Sequence, residues 1–269
     1  MTGDMERIVV RFPAFQALLD RVATSGAGTF AAVEAEFLAA MGAFDLQVAA
    51  GTLSSGENQA KGQFLVELVA LLAENRSGVD LARRARRPGV LLQHVDVDLC
   101  HPLTGTPELV VEAKMAGTPK HPGSPTAGPL GRRASADVDK RVRELALSVI
   151  DLKLGSMGGE FVIGDVPAWL RETLPRFVAV FGLRVIDEAD RRAALDRLRH
   201  LASSYASGVG VALFEPADPS SAEGRVSYRP IPSPAGMSVD DAVQAMCASL
   251  RRARVVSASR WQPRVQATR

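Results

Sequence analysis

Apolar positions recur along this chain in two periods, and the switches between them outline alternating helices and strands. Residues 14–24 and 28–42 are rich in Ala, Leu and Phe and are split by Ser25-Gly26-Ala27-Gly28. They predict a helical N-terminal region, residues 1–55, packed on a core. A further helix is expected from about residue 56 to 75, where Gln63, Glu67 and Glu74 fall in one narrow sector and the rest is apolar. Residues 95–99 and 109–114 alternate with period 2 and predict two strands, the first continuing from 90–93. The Pro/Gly-rich stretch 117–131 predicts a loop. Val138, Val142, Leu145, Val149 and Leu152 mark the buried stripe of a helix over 135–154. Beyond it the pattern predicts a strand at 160–163, a helix from Pro167, a helix over 189–205, and paired strands at 209–214 and 226–231. Ser238 followed by Asp240 and Asp241 marks the start of a final helix, with a polar, Arg-rich tail after Arg254. Strands alternating with amphipathic helices predict an α/β fold, a central mixed β-sheet flanked by helices, with the core at 56–232 and a C-terminal helix and basic tail at 233–269.

The two strands at 95–99 and 109–114 carry the chemistry. Asp96 and Asp98 stand two apart, as do Glu112 and Lys114, so each pair is expected to share a face. If the strands form a hairpin, three carboxylates and one ammonium converge. Carboxylates gathered together repel one another unless a cation neutralises them. Hard oxygen ligands favour Mg²⁺, which keeps waters and is completed by substrate phosphate. A cation so held acidifies water and stabilises charge on a phosphodiester, and Lys114 is placed to orient that water. The alternative is a solvated hairpin face with a cross-strand ion pair.

An Asp on one strand followed by Glu-x-Lys on the next resembles the PD-(D/E)xK nuclease superfamily, which has the restriction-endonuclease-like fold. Asp96 (or Asp98), Glu112 and Lys114 fit that pattern over about twenty residues. The resemblance implies a metal-dependent endodeoxyribonuclease, in the manner of a type II restriction endonuclease or a related phage-defence nuclease. Catalysis would fall to Asp96, Glu112 and Lys114, with Mg²⁺ (or Mn²⁺ as substitute) held by Asp96, Glu112, Asp98 and a Glu from the preceding helix. Glu67 is the candidate for that Glu, and Glu57 is the alternative. The central mixed sheet flanked by helices is also this family's fold. Cutting both strands of duplex DNA implies a homodimer or higher homo-oligomer.

Charge bears on the partner. The formal net charge is only +2, but 27 of the 32 basic residues are Arg, which matches phosphate and guanine edges; a GC-rich coding genome produces the same bias. Arg83, Arg84, Arg86 and Arg87 precede the first motif strand. Arg132, Arg133, Lys140 and Arg141 follow the second, and Lys120 lies in the Pro/Gly-rich loop. These last five are candidate contacts to double-stranded DNA. Only 5% of residues are aromatic, which disfavours base stacking on a single strand.

Rival chemistries lack their motifs. His94, Cys100, His101 and His121 have no zinc-ligand spacing. There is no phosphate-binding glycine loop of the nucleotide folds, no G-x-S-x-G and no H-E-x-x-H. The N-terminus lacks an apolar signal core, no segment is apolar and long enough to span a bilayer, and two cysteines make no disulfide framework; a cytoplasmic protein is expected. The functional alternative is a non-catalytic α/β interaction protein whose acidic hairpin binds a basic partner.

Overall fold

The computed structural model describes residues 2–54, 57–122, 128–154 and 173–259. Seven strands form one sheet in sequence order: β1 (Thr2–Asp4), β2 (Ala82–Pro88), β3 (His94–His101), β4 (Leu109–Ala116), β5 (Arg176–Arg184), β6 (Gly208–Pro216) and β7 (Tyr228–Ile231). The first four strands pair antiparallel, β4, β5 and β6 run parallel, and β7 returns antiparallel on β6. Parallel neighbours need a crossover, and helices supply both. Helix α4 (Ala134–Leu154) lies between β4 and β5 in sequence, and α5 (Glu188–Ser204) between β5 and β6. The α/β class expected from the pattern is present.

The sheet separates two hydrophobic cores. On one side α1 (Pro13–Ser25), α2 (Glu34–Ala50), α3 (Ala60–Ser77) and α6 (Val239–Ser259) pack against Leu99, Val111, Ala113, Val178, Val180 and Phe214. On the other, α4 and α5 cover Val95, Val97, Val110, Phe177, Ala179 and Phe181. The central strands β4 and β5 are thus buried on both faces, as parallel strands between helix layers are. The N-terminal helices and the C-terminal helix share a single core with α3.

Three expectations change. Strand β2 was hidden by its charge: four of its seven residues are Arg, yet Arg83 and Arg87 are buried. Residues 90–92 do not prolong β3 but form the tip of the β2–β3 hairpin. The buried carboxylate of Asp151 on α4 accepts from the N–H groups of Val90 (2.5 Å), Leu91 (2.6 Å) and Leu92 (3.1 Å). Gly89 leads into that tip, where a Cβ would come within 2.2 Å of Asp151 Oδ2. Strand β5, whose apolar run gives no alternation, was not anticipated. The strand expected at 160–163 and the helix from Pro167 lie outside the described residues. Among the described residues, no helix is long and apolar enough to cross a membrane.

Candidate active site

The site forms where β3 and β4 part. Their ladder covers only Leu99↔Val111, Cys100↔Val110 and His101↔Leu109. Beyond Leu99 the Asp98 side chain takes over, its Oδ2 accepting from the backbone N–H of Ala113 at 2.9 Å. The same oxygen accepts from Lys114 Nζ at 2.7 Å, and Lys114 Nζ lies 2.5 Å from Glu112 Oε2. Glu112 and Lys114 share a face with Val110 and Ala116 and alternate with Val111 and Ala113, so both look toward the α4–α5 side.

Asp98 reaches that side because the strand pair is irregular there. Val97 and Cys100 both belong to the α4–α5 core although they are three apart, while Leu99 belongs to the opposite core. On β2, Ala82 and Ala85 show the same three-residue step. The break on β2 falls at Arg84, whose φ of 49° is left-handed. One interruption on each strand turns the facing of everything after it.

Asp96 therefore does not join Asp98. It is 72% exposed and pairs with Arg86, its cross-strand neighbour, at 2.7 Å, a bond that lowers its pKa. The expectation that Asp96 and Asp98 share a face is corrected: strict alternation fails at Asp98 itself. Glu67 is also excluded from the site. It sits on α3, across the sheet, 1% exposed, and accepts from Ile8 N (3.1 Å), Arg83 Nε (3.1 Å) and Arg83 Nη2 (3.0 Å). It is part of a buried ion-pair network with Arg83 and Glu74, and not of a solvated helix stripe. Glu57, the alternative, accepts from Ser54 Oγ (2.6 Å) and Ser54 N (2.8 Å), bonds that lower its pKa.

The electrostatics of the remaining three residues are unusual. Glu112 is 4% exposed, and burial, with Asp98 beside it, pushes its pKa up to about 8 against the pull of Lys114. Burial alone would lower Lys114, but the Glu112 and Asp98 carboxylates hold its ammonium above the ordinary value. One ammonium does not neutralise two carboxylates in a poorly solvated site, and the charged form of Glu112, the more buried of the two, is the one disfavoured. A further carboxylate, Glu144 on α4, is near enough for Lys114 to add to the lowering of its pKa, which arises first from the hydrogen bond of Arg141. The sequence places Glu144 only on the polar side of α4; the crossover after β4 brings that helix back across the sheet face on which Lys114 lies.

Among the described residues, no cluster of three or more His, Cys, Asp or Glu side chains is arranged to hold a metal ion. The arrangement is two carboxylates, Asp98 and Glu112, flanked by one ammonium. That donor set fits Mg²⁺, which is held by one or two carboxylates with water and substrate phosphate completing its shell. The raised pKa of Glu112 follows first from burial and then from the nearby Asp98 carboxylate. His94 and His101 lie on β3 apart from this pair, and Cys100 is buried with its Sγ 2.7 Å from Arg87 Nη2.

The basic residues expected to meet DNA are exposed, and most are already paired. Arg132 binds Asp137 at 2.7 Å and Arg133 binds Asp187 at 2.8 Å. Lys140 and Arg141 both reach Glu144, at 3.7 and 2.7 Å. Lys120 is exposed and makes no ion pair among the described residues. No family model matches the chain, and no curated protein or solved structure matches it either.

Proposed function

We propose that this protein is a Mg²⁺-dependent endonuclease of the PD-(D/E)xK type that hydrolyses phosphodiesters of duplex DNA, as a type II restriction endonuclease or related phage-defence nuclease does. The observation that carries the reading is the meeting of Asp98, Glu112 and Lys114, with Lys114 Nζ 2.7 Å from Asp98 and 2.5 Å from Glu112. Asp98, the alternative first carboxylate, takes the role expected of Asp96.

In this reading Asp98 and Glu112 hold the cation, with Mn²⁺ as a substitute for Mg²⁺. Bound there, the cation supplies a Lewis acid for the phosphate and a more acidic water. The chain's own residues do the rest. Glu112 gives up its proton when positive charge arrives. Asp98 is fixed by the Ala113 N–H and keeps its position as the pair opens to ligand. Lys114 orients the attacking water and offsets charge developing on the phosphate. The exposed Arg132, Arg133, Lys140 and Arg141 exchange their carboxylate partners for backbone phosphates. A homodimer would set one such site on each strand of the duplex.

The test is plasmid nicking by purified protein with Mg²⁺ or Mn²⁺ and with EDTA. Lys114→Ala and Glu112→Ala are each expected to lower the rate on the order of 10²-fold or more, with the circular dichroism spectrum unchanged. Equal cutting by wild type and both variants would assign the activity to a contaminant. No cutting by wild type under any of these conditions would leave the acidic hairpin as a docking surface for a basic partner.

A further inference from the structure

A second concave site opens at the carboxyl ends of β4 and β5, where ligands of open α/β sheets commonly bind. The cleft has a volume of about 530 Å³, within the range of small-molecule sites. Its charged lining is cationic throughout: Lys120, Arg184 and Arg225, with His121 beside them and no carboxylate among the described lining residues.

Arg184 is the anchor. It is the last residue of β5 and is fully buried. Its Nε donates to Tyr228 Oη (2.9 Å), Nη1 to the Leu130 carbonyl (2.9 Å) and Nη2 to the Arg225 carbonyl (3.1 Å). None of these partners is an anion. The carboxylate it reaches through Tyr228 is Asp45, which accepts from Tyr228 Oη at 2.6 Å and is already bound by Lys61 at 3.3 Å. Among the described residues, Asp45 is the one carboxylate joined to both buried cations by hydrogen bonds, directly to Lys61 and through Tyr228 to Arg184. Burial, with Arg184 adding, holds the Lys61 ammonium below the ordinary value against the pull of Asp45 and, more weakly, Asp137.

The rim is cationic too. Arg132, Arg133, Arg143 and Arg229 each find a carboxylate. Lys120 and Arg225 make no ion pair among the described residues, and Arg225 Nε donates only to the Pro219 carbonyl at 2.8 Å. Between the cations the walls are flat and apolar, formed by Pro119, Pro122, Pro129 and Val226. Cationic side chains at the rim suit the oxygens of a phosphate, and proline faces suit a planar ring.

We propose that this cleft binds a phosphorylated small molecule of nucleotide size, its ring lying against the prolines and its phosphate held by Lys120 and Arg225 at the rim, with the buried Arg184 behind them adding positive charge. The cleft is tied to the sheet by Gly117, which ends β4 with φ +80°. A Cβ there would come within 2.2 Å of the Arg184 carbonyl oxygen. The Gly117 carbonyl accepts from Lys61 at 3.2 Å and its N–H donates to Asp137 at 3.1 Å. The site is therefore joined to the ends of β4 and β5, and its binding does not depend on the nuclease reading.

The test is calorimetric titration and thermal melting of the full chain with AMP, GMP, CMP and UMP, each against its uncharged nucleoside, with inorganic phosphate alone. At least one nucleotide is expected to bind and raise the melting temperature, its nucleoside to bind at least tenfold more weakly, and phosphate to bind weakly. Lys120→Gln with Arg225→Gln should lower nucleotide affinity at least tenfold without moving the unliganded melting temperature. Should that pair unfold the chain, the single substitutions, on the exposed Lys120 and the half-buried Arg225, are expected to give several-fold losses. Failure of every nucleotide to bind, or undiminished binding by the variants, overturns the proposal. A short duplex titrated in EDTA forms the last arm. If only the duplex binds, and the variants weaken it and flatten its salt dependence, the cleft is a contact for the DNA backbone and the proposal falls.

Discussion

Arg84 stands opposite Asp98 across the β2–β3 pair, between the partners Arg83↔Leu99 and Ala85↔Val97, and it is the one non-glycine residue with a left-handed φ among the described residues. The strained residue and the site carboxylate are thus cross-strand neighbours. The turn at Arg84 is what sends Asp98 toward Lys114 and leaves Asp96 with Arg86 in solvent.

Asp98 and Asp96 should behave differently on substitution. Asp98→Ala is expected to reduce Mg²⁺-dependent nicking on the order of 10²-fold or more, because it removes a cation ligand and the acceptor for Ala113 N–H. Asp96→Ala removes only an exposed ion pair, worth about 0–1 kcal/mol, and should leave the rate within about threefold. Parallel time courses on supercoiled plasmid check both. A large loss from Asp96→Ala would return that residue to the site.

The left-handed backbone at Arg84 separates tolerant from intolerant replacements. A non-glycine residue there costs about 1–2 kcal/mol, so Arg84→Gly is expected to leave stability within about 1 kcal/mol of wild type. Arg84→Val, with a β-branched side chain, should lose more than that and should also lower nicking by displacing Asp98. Urea denaturation and nicking rates on the same preparations test the pairing of the two effects.

Glu67 is expected to matter to stability and not to the cation. Removing it leaves Arg83 partly unpaired in the interior, a loss of about 3–5 kcal/mol for a broken buried pair. Glu67→Ala should therefore unfold at markedly lower urea. The folded protein should bind Mg²⁺ with unchanged affinity, as read by calorimetry. A selective loss of Mg²⁺ binding with normal stability would place Glu67 among the ligands after all.

Glu112 sets a pH dependence. Its folded value of about 8 exceeds the ordinary 4.5, so the native chain holds one more proton than the unfolded chain between those limits. Stability in EDTA is expected to carry this contribution fully below about pH 4.5 and to lose it as pH rises through about 8. Glu112→Gln removes the titration, so its denaturation midpoint should fall less over that window and should exceed that of wild type at pH 9. Parallel slopes for the two proteins would place the proton elsewhere.

Much of the fold was legible because its elements follow a period. The stripe over 135–154 corresponds to α4 at Ala134–Leu154, and the alternation at 109–114 lies within β4 at Leu109–Ala116. Strand β2 was not legible, since Arg83 and Arg87 look like surface charge until Glu67, Glu74 and the Pro102 carbonyl are seen to receive them. Within the site, Glu112 and Lys114 were placed correctly by alternation alone. The choice between Asp96 and Asp98 was not, because it depends on a backbone irregularity that spans two strands. Glu144 was out of reach for a similar reason: its nearness to Lys114 comes from the crossover between the adjacent parallel strands β4 and β5. The helix reading at Glu67 failed because α3 is buried on nearly all sides, so a polar residue in it marks an internal ion pair and not a wet face.

The bond from Ala113 N–H to Asp98 has a consequence for motion. In most hairpins a strand separates from its neighbour without disturbing side-chain chemistry. Here the rung that closes the ladder is itself a carboxylate of the candidate site, so any breathing of β3 away from β4 releases Asp98 and exposes that amide to solvent in a single event. Exchange of one backbone hydrogen, at Ala113, therefore reports how often the candidate site is assembled.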